Sequence, residues 1–353
     1  MINRKNTKKI NIANTYIGGS DNILIQSMCN TKTTNVEECI EQILQLEDAG
    51  CEIIRVSAPD MESAKAINII KQKIHIPIVA DIHFDYKLAL SSIENGADKI
   101  RINPGNIGSI EKVKLICEKA KAYKVPIRVG VNSGSISSTI LQKYNNKVCA
   151  NALVDSCLYC INILEQFDFR DIVVSIKSSD ILMCIQAYKQ IASKTIYPLH
   201  VGITESGTLW SGNIKSSIGL SLILNENIGN TIRVSLSANP IEEVKSAKLI
   251  LQTLGLRSDG IKIISCPTCA RTNIDIINLS KKVEDILLLK YPNKKIKVAI
   301  MGCAVNGPGE ASNADIGIAG GIGEGLIFKK GKIIRKVKEE NLLEELLKEI
   351  EKI

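Results

Sequence analysis

Aromatic residues are scarce in this sequence. Phe, Trp and Tyr make up 4% of its 353 residues, so its core must be built from Ile, Leu, Val and Ala. Only three histidines are present, which leaves little for zinc coordination or imidazole acid–base chemistry. No segment reaches the roughly 18 uninterrupted apolar residues that a membrane-spanning helix requires. The first ten residues are polar and basic with no apolar segment behind them, so no secretory signal is expected, and one Arg without Ser makes a poor organelle address. Eleven cysteines are too few for a disulfide scaffold of this length, and an odd number cannot all pair. The expected compartment is the cytoplasm, where clustered thiols serve metals more often than disulfides. The net charge of +8 admits an acidic ligand. Its Lys and Arg residues are spread along the chain and not interleaved with rings that could stack on bases, so nucleic acid is not the expected partner.

What the sequence does contain is a regular alternation. Short Val/Ile-rich runs lie at 23–28, 53–57, 76–83, 99–103, 127–131, 172–177, 198–205 and 231–237. Amphipathic stretches lie between and after them at 36–49, 61–71, 86–95, 110–123, 152–166, 181–192, 216–225 and 241–254. Continuous apolar runs read as strands buried on both faces. Eight such units in roughly 235 residues predict an α/β fold, a (β/α)8 TIM-type barrel over residues 1–255. From 256 to 353 the pattern changes to that of a smaller α+β domain. It has a strand ending in Cys-Pro-x-Cys, a helix to about residue 291, a strand at 296–301, a hairpin at 326–328 and 332–337, and a charged terminal helix.

The C-terminal strand ends of such a barrel form its active face. Arg55, Arg101, Arg128, Lys177 and Arg233 sit there on five different strands, against the carboxylates Asp81 and Glu205. Uncompensated positive charge in a cleft, with guanidinium forks that match phosphate oxygens, points to a small substrate with several negative charges, such as a diphosphate. Asn103, Asn132, Ser133 and Ser135 could add neutral donors. Glu205, at a strand end before Ser206-Gly207, reads as a general acid/base or a counter-ion to Lys177 or Arg233. His83 and His200 read first as structural hydrogen-bonders rather than proton shuttles, and His200 is grouped with the residues facing substrate.

The cysteines fall into two groups. Eight lie in the barrel region, and Cys157-x-x-Cys160 within it reads as small packing residues on one helix face. The other three differ in context. Cys266-Pro267-Thr268-Cys269 follows one strand, and Cys303 follows another and opens the run Gly-Cys-Ala-Val-Asn-Gly-Pro-Gly-Glu. Three thiols are one short of a closed zinc site or an all-cysteine iron–sulfur cluster. Glu310 is the nearest oxygen donor, and three thiolates with a carboxylate suit a reactive cluster better than a structural zinc.

The runs Val79-Ala-Asp-Ile-His-Phe-Asp85, Arg101-Ile-Asn-Pro-Gly-Asn-Ile-Gly108, Gly202-Ile-Thr-Glu205, Cys266-Pro-Thr-Cys269 and Gly302-Cys-Ala-Val-Asn-Gly-Pro-Gly-Glu310 closely resemble the 4-hydroxy-3-methylbut-2-enyl diphosphate synthase family in its compact bacterial form. The resemblance covers essentially the whole chain. It implies reductive conversion of 2-C-methyl-D-erythritol 2,4-cyclodiphosphate to the allylic diphosphate on the methylerythritol phosphate route to isoprenoids. It implies a [4Fe–4S] cluster held by Cys266, Cys269, Cys303 and Glu310. It also implies diphosphate binding by Arg55, Arg101, Arg128, Asn132 and Lys177, and acid/base work by Glu205. Glu310 would give way to a substrate oxygen on the unique iron. A homodimer is implied, with one subunit's cluster domain closing over the partner's barrel, as is flavodoxin or ferredoxin as one-electron donor. Ser133, Ser206 and Ser217 stand where the family commonly has Ala. Two other readings compete with this one: a non-redox barrel synthase with a structural zinc, and a basic nucleic-acid-binding protein.

Overall fold

In the computed structural model, which describes residues 3–353 except 259, 292–293, 305–308 and 310, the apolar runs of the first part form one parallel barrel. The chain divides into two units, Met1–Leu256 and Arg257–Ile353. A small antiparallel hairpin, β1 (Ile10–Ile12) with β2 (Thr15–Ile17), opens the first unit. The barrel strands are β3 (Leu24–Met28), β4 (Ile53–Ser57), β5 (Ile78–Asp81), β6 (Lys99–Ile102), β7 (Ile127–Asn132), β8 (Ile172–Lys177), β9 (His200–Val201) and β10 (Thr231–Ile232). Their order is β8-β7-β6-β5-β4-β3-β10-β9, and a parallel bridge between Val174 and Leu199 brings β8 to β9. The expected (β/α)8 barrel is therefore present.

Helices follow the strands because their starts are chemically marked. Asp60, Asp85, Ser109, Asp180 and Asn239 each accept a backbone N–H of the first helical turn, satisfying donors that have no partner within the helix. The apolar faces of the barrel helices, Val36–Ala49 and Ala150–Gln166 included, bury Ile43, Leu46, Ile67, Ile116 and Leu153 against the outside of the barrel.

Inside the barrel the usual layers of branched aliphatic side chains are reduced to a floor. Leu24, Ile53, Val79 and Val173 form it with Ile10, Ile12 and Ile17 of the hairpin. The N-terminal hairpin thus contributes to the apolar floor, and every inward position above it is free for polar side chains. This hairpin is not legible in the sequence, because two three-residue strands in a basic segment carry too little pattern.

The second unit is a five-stranded sheet: β11 (Ile261–Ser265), β12 (Ile296–Met301), β13 (Ile316–Gly320), β14 (Glu324–Lys329) and β15 (Lys332–Lys338). The first three are parallel and the rest antiparallel. Helices Ile276–Lys290 and Leu342–Glu351 supply Val283, Leu287, Leu346 and Ile350 to its core. Strand β13 was not expected from its glycines. Gly317 is required there because a Cβ would collide with the Phe328 ring of the neighbouring strand and lie 2.8 Å from the Ala299 carbonyl oxygen.

Truncating the floor should be costly. Ile12→Ala, at a site only 1% exposed, should lower stability by about 2–4 kcal/mol, read as a lower urea midpoint at unchanged slope.

Candidate active site

Alternation along the strands decides which side chains face the barrel axis. Above the apolar floor, the inward positions carry Arg55, Asp81, Arg101, Arg128, Lys177 and Arg233, and these line a cavity of about 190 Å³ together with Gly130, Asn132, Ser175 and Ser235. All five expected cations and Asn132 are brought together. His83 and Thr204 also reach this cavity, although His83 is largely exposed.

Two carboxylates organise the cations. Asp81 lies 3.2 Å from Arg101 Nη1, 3.8 Å from Arg55 Nε and 3.7 Å from His83 Nε2. Burial pushes its carboxyl upward, but Arg55, Arg101 and Arg128 outweigh that and hold it below the usual range. The second carboxylate is Glu243, on the helix Pro240–Thr253, which the sequence reading did not select. It accepts from Arg233 Nε and Nη2 at 3.3 Å and from the Leu236 backbone N–H at 2.9 Å. Arg55 donates to the Met28 sulfur at 2.8 and 3.1 Å, a soft, uncharged acceptor, so its counter-charge comes from Asp81, which Arg101 also contacts. Arg128 is 2% exposed, and its Nε and Nη1 have no partner. Burial, then the charges of Arg233 and Arg128, draws the Lys177 amine well below the usual lysine range.

Two glycines also belong to the site. A Cβ on Gly130 would lie 2.5 Å from Arg101 Nε, and one on Gly202 would lie 2.8 Å from Lys177 Nζ. The cations fit because these strand positions are bare. One sequence cannot reveal this, since a strand glycine reads only as a weak position.

Other expected residues lie elsewhere. Asn103 does not line this cavity. Its Oδ1 accepts from the Gly105 N–H at 3.1 Å and from Cys160 Sγ at 3.4 Å, which turns the amide toward a second hollow lined by Gly105, Ser135 and Tyr159. His200 is fully buried and pairs through Nδ1 with Thr231 Oγ1 at 2.8 Å. Burial and then Arg128 and Lys177 keep its imidazole neutral, far below its ordinary pKa. Ser133 bonds Ser178 Oγ, and Ser135 bonds its own loop. Cys157 and Cys160 are buried packing residues.

Glu205 is exposed, is not among the residues lining the cavity, and has a left-handed backbone with φ of 53°. That conformation costs a non-glycine residue on the order of 1–3 kcal/mol and clusters at functional sites. The turn is pinned by Ser206, whose hydroxyl donates to Ile203 O and accepts from Ser216 Oγ. A serine at 206 is therefore explained by the turn.

In the second unit, Cys266 follows β11 and Cys303 follows β12, adjacent parallel strands in which Ser265 faces Ile300. The Gly302 N–H donates to Cys266 Sγ at 3.2 Å. Cys269 is exposed, and N–H groups of Arg271 draw its thiol down from the ordinary value. No cysteine is in a disulfide. Three free thiols, one already accepting a backbone N–H, fit an iron–sulfur group by the chemistry of the donors. No set of three donors closes around one point among the described residues, and Glu310 lies outside them.

A TIM barrel with a cationic, phosphate-sized cavity, followed by a second unit in which Cys266 and Cys303 stand past the ends of two adjacent parallel strands, defines a class: a two-unit barrel protein with a cationic mouth. Residues 7–248 match the family profile described as GcpE TIM-barrel domain, and residues 262–352 match that described as GcpE protein C-terminal domain. The chain belongs to the GcpE family. It is 57% identical to 4-hydroxy-3-methylbut-2-en-1-yl diphosphate synthase (flavodoxin) of Geobacillus kaustophilus, covering 100% of this chain and 94% of that protein. Synthases of the same name from Caldicellulosiruptor saccharolyticus (60% identical, 98% of each chain) and Clostridium perfringens (56%, 100% of each) are similar throughout. Among solved structures, dihydropteroate synthase of Stenotrophomonas maltophilia superimposes with a TM-score of 0.52 at 11% identity, covering 70% of this chain and 97% of that one. The enzyme of Xanthomonas albilineans gives 0.51 at 10%, covering 71% and 97%. At those identities the likeness concerns the barrel fold alone.

Two measurements check the site. Gly130→Ala should leave the barrel folded while displacing Arg101, so affinity for inorganic pyrophosphate should fall about tenfold, the loss of one charge-assisted hydrogen bond. Asp81→Asn should destabilise the protein by about 3 kcal/mol near neutral pH. Because the carboxyl's pKa is lower folded than unfolded, that contribution is present above about pH 4 and disappears as pH falls through the folded value. The gap between wild type and variant in thermal denaturation should therefore close in acid.

Proposed function

We infer that this chain is the oxidoreductase that opens 2-C-methyl-D-erythritol 2,4-cyclodiphosphate and removes one hydroxyl oxygen, yielding (E)-4-hydroxy-3-methylbut-2-enyl diphosphate for isoprenoid synthesis. The reaction consumes two electrons and two protons and releases one water. The observation that carries the reading is the convergence of five cations on one phosphate-sized cavity in a chain that aligns end to end with synthases of that name.

The barrel, residues 1–255, is the substrate unit. Arg55, Arg101, Arg128, Lys177 and Arg233 hold the diphosphate oxygens, and the Asn132 amide adds a neutral donor. Asp81 holds Arg55 and Arg101, and Glu243 holds Arg233, so these three forks are fixed in place beside the cavity. Desolvation in a nearly closed barrel strengthens those contacts. Glu205, on the left-handed turn after β9, is the acid/base residue for the departing oxygen. Asn103 and His200 act behind the cavity as scaffold, Asn103 by fixing the loop after β6 and His200 by bonding Thr231.

Residues 256–353 form the cofactor unit. Cys266, Cys269, Cys303 and Glu310 would hold a [4Fe–4S] cluster, which supplies single electrons at low potential and an iron open to an oxygen ligand. A one-electron carrier, flavodoxin as in the relatives' names or a ferredoxin, is the donor. All eleven cysteines are free, in keeping with a reducing cytoplasm. A homodimer is supported by an exposed apolar stripe on helix Leu209–Asn225, where Trp210, Ile214, Ile218 and Leu222 recur every four residues.

The test is anaerobic turnover of the cyclodiphosphate with a strong one-electron reductant. The expected result is a brown protein that forms the allylic diphosphate. Cys303→Ser should lose iron and turnover while substrate still binds. Absence of turnover by fully iron-loaded wild type would contradict the assignment.

A further inference from the structure

Beneath the substrate cavity lies a second tier of polar side chains that the reading above does not use. Lys99 is fully buried on β6. It is two residues before Arg101 and shares its inward face, so it lies roughly 6–7 Å deeper along the strand. Its Nζ has no hydrogen-bond partner. Gln26 on β3 has both amide atoms unpartnered, Arg128 on β7 has Nε and Nη1, and His200 on β9 has Nε2. Donors thus outnumber acceptors in a space closed below by the apolar floor.

An ammonium here would bury a charge whose Nζ is bonded to no acceptor among the described residues, which is costly unless the group gives up its proton. The charges around it point the same way. Arg128 and Arg55 act on Lys99 directly, and with burial they draw its amine well below the lysine range. His200, on β9, is held neutral by the same surroundings. One tier higher stand Lys177 on β8 and Arg233 on β10. Their counter-charge is limited to Asp81, which is engaged with Arg101 and Arg55, and Glu243, which is engaged with Arg233. On the adjacent strand β5 the residue paired with Lys99 is the neutral Val79, and the carboxylate of that strand, Asp81, is paired with Arg101.

We propose that Lys99 is the proton reservoir of the diphosphate cavity: an uncharged amine while the cavity is empty, which takes up a proton when an anionic substrate settles on Arg128. The substrate reverses the sign of the local field. Two unit negative charges at roughly 10 Å change a proton equilibrium on the order of a hundredfold at an effective dielectric near 20. Neutral Lys99 spares the empty barrel a sixth buried cation, and protonated Lys99 adds a charge beneath the bound diphosphate. The inference rests on the barrel being the diphosphate site.

A cyclic diphosphate diester suits the test, because its acidic protons are already lost at neutral pH and it contributes no titration of its own. The protein is titrated calorimetrically with the cyclodiphosphate at about pH 8, without reductant, in two buffers of different ionisation enthalpy. The difference in observed heat counts the protons taken up. Wild type is expected to take up protons, and Lys99→Met to take up fewer by as much as one. Affinity should weaken with rising pH by up to about tenfold per pH unit for each proton, with a flatter profile in the variant. Lys99→Gln serves if the methionine variant does not fold. Equal uptake in wild type and variant, or none in wild type, overturns the proposal while leaving the substrate assignment intact. Absence of binding heat, with no displacement of a bound probe, overturns the assignment itself.

Discussion

The guanidinium groups of Arg55, Arg101, Arg128 and Arg233 converge with Lys177 inside a barrel where, among the described residues, Asp81 and Glu243 are the carboxylates in contact with them. Charges of one sign in a low-dielectric interior repel strongly, and the rest of the barrel is arranged around that repulsion. Hydrophobic packing is moved to the floor and the outer face. Glycines stand at 130 and 202 so that long cationic side chains can lie along the wall. The deepest of the inward amines, Lys99, is fully buried beneath them. A scaffold that bears this cost is built to be completed by a dense anion.

The second unit obeys a different constraint. Its core of Val298, Ile300, Ile316 and Ile318 is apolar, and Cys266 and Cys303 emerge beyond the ends of two parallel strands. A backbone N–H already directed at Cys266 Sγ is the kind of contact that tunes a thiolate bound to iron. The two units thus divide the work, one holding charge and the other holding thiols.

Much of this was legible in the residues because burial on both faces leaves a continuous apolar run, and a strand-end cation interrupts such a run visibly. Arg55, Arg101, Arg128, Lys177 and Arg233 were found in that way. The hairpin Ile10–Ile17 was not, since three-residue strands have no measurable period. Glu243 was hidden because it reaches the site from a helix, where a glutamate reads as a solvated residue. Asn103 shares the inward parity of Arg101, but it lies just past the strand end, where the chain turns and its amide serves the loop. Lys99 stood in plain view on β6, yet a lysine at the start of a strand normally reads as a surface residue. Only the closed barrel makes it a buried one.

The central claim is that the barrel's cations outnumber the carboxylates in contact with them until a diphosphate arrives. Thermal unfolding of the protein with and without the cyclodiphosphate, in the absence of reductant, tests it most directly. Ligand at a hundredfold excess over Kd should add about 2.7 kcal/mol to stability and raise Tm by several degrees, and the gain should shrink as salt is added because the attraction is screened. An unchanged Tm at saturating ligand would contradict the account.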